Sequence, residues 1–220
     1  MNSPACSTTG KIAAAAVVWL AIFGAPAFAA PPDVASCSSC HGADGMGNMS
    51  AGFPALAGLP APYLEAQLAN FRTGMRANPI MGGIAAHLTT AQILSISAYY
   101  AALPVPQKPE PAPLPHGPGA ALALDGDWNH TPAGVPPCGS CHGPFGLGVG
   151  ETFPRLAGQP QAYIAAQLAD WQTGRRKGGP LGLMGHVGGK LTAAQIDAVA
   201  AYYAALSPNP PRLPKPGASE

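Results

Sequence analysis

A five-residue pattern, Cys-x-x-Cys-His, occurs twice in this 220-residue chain, 101 positions apart. The copies are Cys37-Ser38-Ser39-Cys40-His41 and Cys138-Gly139-Ser140-Cys141-His142. The pattern reads as covalent attachment of c-type haem: two thiols form thioether bonds to the porphyrin, and the adjacent histidine is the proximal iron ligand. Each motif therefore belongs on a short helix with its histidine turned toward the haem. Taken alone, either copy also fits a redox dithiol or part of a zinc site. The text after each copy repeats as well, which favours haem and makes the chain a carrier of two electrons, one per haem.

The repetition is ordered. Phe53-Pro54-Ala55-Leu56-Ala57-Gly58 returns as Phe153-Pro154-Arg155-Leu156-Ala157-Gly158. Tyr63-Leu64-Glu65-Ala66-Gln67-Leu68-Ala69 returns as Tyr163-Ile164-Ala165-Ala166-Gln167-Leu168-Ala169. Thr73-Gly74 returns as Thr173-Gly174, and both copies end in Ala-Tyr-Tyr-Ala-Ala-Leu, at 98–103 and 201–206. A repeat of this length predicts two domains, over residues 30–103 and 119–207. Between them, residues 104–118 carry proline at 104, 106, 109, 111, 113, 115 and 118. Such a segment forms neither helix nor sheet interior and reads as a semi-rigid, extended linker. The tail, residues 208–220, is also proline-rich. The second copy's extra residues fall in a loop at Arg175-Arg176-Lys177-Gly178-Gly179.

Each unit reads as three main helices with no convincing strand, which makes the chain all-α. The motif helix comes first. A second runs from about Ala61 to Phe71 and again from about Gln161 to Trp171, with Tyr63, Leu64, Gln67, Leu68 and Phe71 at helical spacing. The last begins at Thr89 or Thr192, where Gln92 or Gln195 completes a capping box. Its apolar stripes, Ile93, Ile96, Tyr99, Tyr100 and Leu103, then Ile196, Val199, Tyr202, Tyr203 and Leu206, read as core. Glycines after His41 and His142 allow backbone to pass close to the porphyrin.

A low-spin electron-transfer haem needs a sixth ligand, usually Met or His. Met184 is the only methionine of the second copy, in the loop before the last helix, and the Leu-Thr register matches it to Met81. Met/His ligation raises the reduction potential. Met46 and Met49 lie too close to His41 to reach the far haem face, and Met75 has no counterpart. His87 and His186 do not match in position, and neither His116 nor His130 fits a repeated function.

Lys11, an apolar run from Ile12 to Ala25 and the Ala27-Phe28-Ala29 site read as a secretory signal peptide, residues 1–29, cleaved after Ala29. An uncleaved anchor is the alternative, although the run is short for a membrane span of ~20 residues. Export predicts a bacterial periplasm, where c-type haem is attached. The fifth cysteine, Cys6, lies in the leader, so no cysteine remains for a structural disulfide. Covalent haem supplies the staple that domains of about 80–90 residues otherwise lack. Charged residues are 10% of the chain and the formal charge is +1. No basic tract suits nucleic acid or anionic lipid.

The ordered set, Cys-x-x-Cys-His-Gly, Phe-Pro-x-Leu-Ala-Gly, Tyr-x-x-x-Gln-Leu, Thr-Gly, Met and the closing Ala-Tyr-Tyr-Ala-Ala-Leu, resembles twice over the cytochrome c4 family of dihaem class I cytochromes. The resemblance covers residues 33–103 and 125–206. It implies two all-helical cytochrome c domains facing each other, haem edges near the interface. It implies low-spin haem c ligated by His41 with Met81 and by His142 with Met184. It implies a periplasmic shuttle, soluble or peripherally held at the membrane, with no catalysis of its own. The shuttle takes electrons from a quinol-oxidising complex or dehydrogenase and passes them to a terminal oxidase or reductase. A dedicated electron-transfer subunit of a dehydrogenase is the alternative. A dihaem peroxidase or thiosulfate dehydrogenase fits less well, because two matched methionines leave no open iron position. Arg72 and Arg76 resemble family residues that meet haem propionates. Gln172 in place of Arg72 predicts that the two haem environments differ.

Overall fold

The computed structural model describes residue 31 and residues 34–109, 111, 113–129 and 134–210. The predicted leader, Cys6, His130 and the last ten residues of the tail lie outside the described residues. Nine α-helices follow in order among those described: α1 Val34–His41, α2 Ala61–Thr73, α3 Pro79–His87, α4 Thr90–Ala102, α5 Pro118–Leu124, α6 Gly139–His142, α7 Gln161–Gln172, α8 Leu183–Gly188 and α9 Ala193–Ala205. No strand is formed among these residues, only isolated bridges such as Asn48 with Phe53 and Val149 with Phe153. No single helix among them is long and apolar enough to cross a membrane.

The expected helices are present, and their ends follow local chemistry. Both capping boxes form: Thr89 accepts from the Gln92 amide at 3.2 Å, and Thr192 accepts from the Gln195 amide at 3.2 Å. Gly74 ends α2 at φ 73°, a left-handed conformation that costs glycine nothing. Three helices depart from the three-per-unit reading. Met81 and Met184 lie on the short helices α3 and α8, not in loops. In α3 the Asn78 side chain accepts from the Met81 amide at 2.9 Å and Pro79 occupies the first turn, a strong start signal. The third departure is α5, which opens on Pro118 and buries Leu122 and Ala123. It packs against α9 so closely that a side chain at Gly119 would collide with the Ala198 carbonyl.

Two apolar cores result. One gathers Val34, Leu59, Leu64, Ile96 and Tyr100; the other includes Leu122, Ile164, Leu168, Ile196, Val199 and Tyr203. Residues 104–109 form no helix or strand. They are tied to the second unit, because Lys108 donates to the Asn209 carbonyl at 3.1 Å and Asn209 Nδ2 donates to the Val105 carbonyl at 2.8 Å.

The units meet along a pseudo-symmetric seam. Arg76 and Arg176 form an isolated antiparallel bridge. It is flanked by Ala77 N donating to Arg175 O at 2.7 Å and Lys177 N donating to Met75 O at 2.6 Å. Gln159 adds a two-way bond to the Ala55 backbone, donating and accepting at 2.9 Å.

Candidate haem sites

Among the described residues, a cavity lies beside each Cys-x-x-Cys-His motif. The first, about 390 Å³, is lined by Cys37, Cys40, His41 and Met81. The second, about 560 Å³, is lined by Cys138, Cys141, His142 and Met184. All eight residues singled out from the sequence are thereby brought together, four to a cavity. His87 and His186 line neither cavity and are exposed, as is His116. Met49 and Met75 are exposed, 51% and 40%, and stand outside both.

The histidines are held identically. His41 Nδ1 lies 2.8 Å from the Pro54 carbonyl, and His142 Nδ1 lies 2.8 Å from the Pro154 carbonyl. A carbonyl only accepts, so each Nδ1 carries the proton and each Nε2 keeps its lone pair for a metal. Burial holds both imidazoles below their ordinary pKa; the carbonyl bond offsets part of that, and Arg76 or Arg176 adds to it. A neutral, oriented imidazole is what iron requires. Phe53 and Phe153 stand beside the rings, with centroids 6.4 and 6.1 Å away.

The remaining walls also suit a flat, largely apolar macrocycle. Leu56, Leu64 and Ile96 line the first cavity; Leu156, Ile164 and Val199 line the second. Two buried polar atoms of the first, Ser97 Oγ and Tyr100 OH, have no protein partner. A polar group of the cofactor fits there. The zinc alternative lacks donors, because no cluster of three or more His, Cys, Asp or Glu that suits a metal ion is found among the described residues.

Five residues, Leu59, Tyr63, Gln67, Tyr163 and Gln167, line both cavities. One layer of side chains therefore separates the two sites. The seam arginines reach into it: Arg76 donates to Tyr163 OH at 2.9 Å and to Gln167 Oε1 at 2.6 Å, and Arg176 donates to Gln67 Oε1 at 2.9 Å. Arg76 lines the first cavity and Arg176 the second.

Profile comparison then settles the class. The cytochrome c family profile matches residues 26–103 and 136–207, one match per unit. This chain belongs to the cytochrome c family. It is a dihaem electron-transfer cytochrome, not an enzyme, with one covalent haem c in each of two tandem domains. The thiosulfate dehydrogenase electron acceptor of Thiomonas intermedia is 49% identical over 90% of this chain and 93% of its own. Cytochrome c4 of Pseudomonas aeruginosa is 43% identical over 78% of this chain and 84% of its own. Among solved structures, thiosulfate dehydrogenase (TsdBA) from Marichromatium purpuratum superposes with TM-score 0.70 at 45% identity, covering 78% of this chain and 36% of that longer one. The resemblance to cytochromes c4 thus stands.

Arg72 does other work than expected. It donates to the Ala85 carbonyl at 3.2 Å and to the Leu88 carbonyl. Gln172 donates to the Leu191 carbonyl, the counterpart of Leu88 in the repeat. Both side chains tie the second helix to the entry of the last one, so the change from Arg72 to Gln172 preserves that tie. Sequence reasoning passed over Arg155 and Gln159, which stand where the first unit has Ala55 and Leu59. Unequal residues inside an otherwise matched segment were the available signal.

Proposed function

We propose that this cytochrome is the electron acceptor of a periplasmic thiosulfate-oxidising dehydrogenase and passes its electrons on to a terminal oxidase or reductase. The observation that carries the reading is the pair of cavities, alike in their Cys, His and Met, separated by one layer of side chains. The near full-length relative named as a thiosulfate dehydrogenase electron acceptor supports the choice of donor. Cys37 and Cys40 hold the first haem, Cys138 and Cys141 the second. His41 and Met81 would bind the iron of the first haem, and His142 and Met184 that of the second. Each haem, when bound, supplies a one-electron ferric/ferrous couple. The chain fixes the imidazoles through Pro54 and Pro154, and a methionine thioether from Met81 or Met184 would keep water off the bound iron, so that reorganisation between oxidation states would stay small. Arg76 and Arg176 offer guanidinium donors to the haem carboxylates at the seam. Residues 1–29 direct export and are removed after Ala29.

The test is stopped-flow mixing of the oxidised dihaem protein with thiosulfate dehydrogenase and thiosulfate. Reduced α-bands growing at the rate of thiosulfate turnover support the reading. Full reduction by dithionite with none by the enzyme and thiosulfate sinks it. The cytochrome c4 relative favours a second reading, a carrier serving several donors, for which a quinol-oxidising complex would reduce the protein equally fast.

A further inference from the structure

The repeat allows the two methionine-bearing helices to be compared position by position. Counting back from Leu88 and Leu191 pairs Met81 with Met184. Helix α3 has a defined start and end. Asn78 caps it by accepting from the Met81 amide itself at 2.9 Å, Pro79 fills its first turn, and Ala85 and Ala86 lie in its last. At α8 those four positions hold Leu181, Gly182, Gly188 and Gly189. No side chain caps α8. Leu181 stands at φ 51° and is 97% exposed, and that left-handed backbone is unfavourable for leucine. Each glycine in place of alanine weakens a helix about fivefold. The change from Gly83 to His186 runs the other way.

The surroundings differ in the same sense. Ala77, which donates to the Arg175 carbonyl across the seam at 2.7 Å, adjoins Asn78, so the seam braces α3 directly. In the second unit, residues 178–182 intervene between the seam residue Lys177 and the start of α8 at Leu183. Arg72 holds the Ala85 carbonyl within α3 at 3.2 Å, whereas Gln172 holds that of Leu191, past the end of α8. The cavity at Met184 is also the larger, about 560 Å³ against 390 Å³. Met184 and Val187 pack on the core that includes Leu168 and Leu191. A departing methionine therefore leaves apolar room, which admits an uncharged diatomic molecule more readily than an anion.

We propose that the thioether of Met184 leaves the iron of the Cys138 unit readily, and that this site then binds small uncharged π-acceptor molecules, carbon monoxide or nitric oxide, while Met81 keeps the first site closed. The proposal rests on the His/Met reading above. In the exchange the Fe(II)–S bond breaks and an Fe(II)–C bond to carbon monoxide, or an Fe(II)–N bond to nitric oxide, forms. The thioether leaves neutral and no electron is transferred. Apparent affinity scales with the fraction of molecules that are open, so it follows the stability of the helix that presents the methionine.

The experiment mixes the reduced dihaem protein with carbon monoxide and follows the Soret band, with the responding haem identified by NMR. Haem content and the far-red sulfur-to-iron band of the ferric form are measured first. Fewer than two haems, or a band of half intensity, defeats the haem or methionine reading and the proposal with it. In the wild type, the second-unit haem is expected to bind carbon monoxide at least about tenfold faster than the first. A Cβ at Gly185 meets nothing closer than the Trp171 ring at 4.0 Å, so Gly185→Ala firms α8 without a clash and slows binding at the second haem about fivefold. Asn78→Ala removes the cap of α3 and speeds binding at the first haem about fivefold, with the second unchanged; it decides the matter if Gly185→Ala fails to assemble. Binding at neither haem, equal rates at both, a faster first haem, or rates that neither variant moves overturns the proposal, even with both haems and the full sulfur band in place.

Discussion

Arg76 and Arg176 come from opposite units, pair backbone to backbone, and share the same two glutamine oxygens. Gln67 Oε1 accepts from Arg76 at 3.1 Å and from Arg176 at 2.9 Å; Gln167 Oε1 accepts from Arg76 at 2.6 Å and from Arg176 at 3.0 Å. Each guanidinium also lies over an aromatic ring, Arg76 at 4.5 Å from the Phe71 centroid and Arg176 at 4.8 Å from that of Trp171. Two like charges are held together by shared neutral acceptors and ring faces. The seam is thus specific: either arginine needs the other unit to satisfy its donors.

Arg76→Leu should loosen this seam. It removes the Arg76 donors from Gln67, Gln167 and Tyr163; the glutamine oxygens keep Arg176 but Tyr163 OH loses its guanidinium donor, at a total cost of about 3 kcal/mol. Relief of repulsion with Arg176 returns part of it. Calorimetry of the dihaem protein should show the unfolding endotherm broaden or split as the two units uncouple. An unchanged single transition would refute the role assigned to the seam.

The elements legible in the sequence are those with local causes. The second helices, α2 and α7, followed from spacing, and the capping boxes of α4 and α9 from Thr89-x-x-Gln92 and Thr192-x-x-Gln195. The eight residues proposed to hold the haems were picked out by the motif and the repeat, and they line the two cavities four to each. Helices α3 and α8 are hard to see in the sequence, because Gly82, Gly83 and Gly185 weigh against helix by propensity. In α3 the Asn78 cap, the Pro79 start and packing on α2 prevail. In α8, packing on α7 does, where a side chain at Gly188 would collide with the Trp171 Cβ. The seam was illegible for a different reason. Arg155 reaches Ala57 across 98 positions and Gln159 reaches Ala55 across 104, and no local pattern encodes such a contact.

Met184 gives a ligand test confined to one site. Met184→Ala should leave both haems attached, because the thioether anchors at Cys138 and Cys141 are untouched. The far-red sulfur-to-iron charge-transfer band of the ferric protein should fall by about half, and a high-spin signal should appear at one haem. Met184→His should restore low spin but lower that haem's potential, since a thioether favours Fe(II) more than an imidazole does. The same band at full intensity in Met184→Ala would exclude the residue as a ligand. Met81→Ala should reproduce the loss at the other site.

Alkaline stability should report on the two core tyrosines. Tyr100 and Tyr203 are 1% and 2% exposed, and burial raises both phenols above their ordinary pKa of 10.0. Each stacks edge-on against its neighbour, Tyr99 at 5.3 Å and Tyr202 at 5.1 Å, with no guanidinium to stabilise a phenolate. Above pH 10 the unfolded chain releases these protons while the folded one retains them. Their contribution is therefore complete below pH 10 and is lost as pH rises beyond it. The slope is about 1.4 kcal/mol per pH unit for each tyrosine. Denaturant unfolding at pH 8 and at pH 11, followed at the Soret band, should show this decline, and Tyr203→Phe should remove about half of it. A slope unchanged by Tyr203→Phe would mean that Tyr203 ionises within the folded protein, contrary to its place in the core.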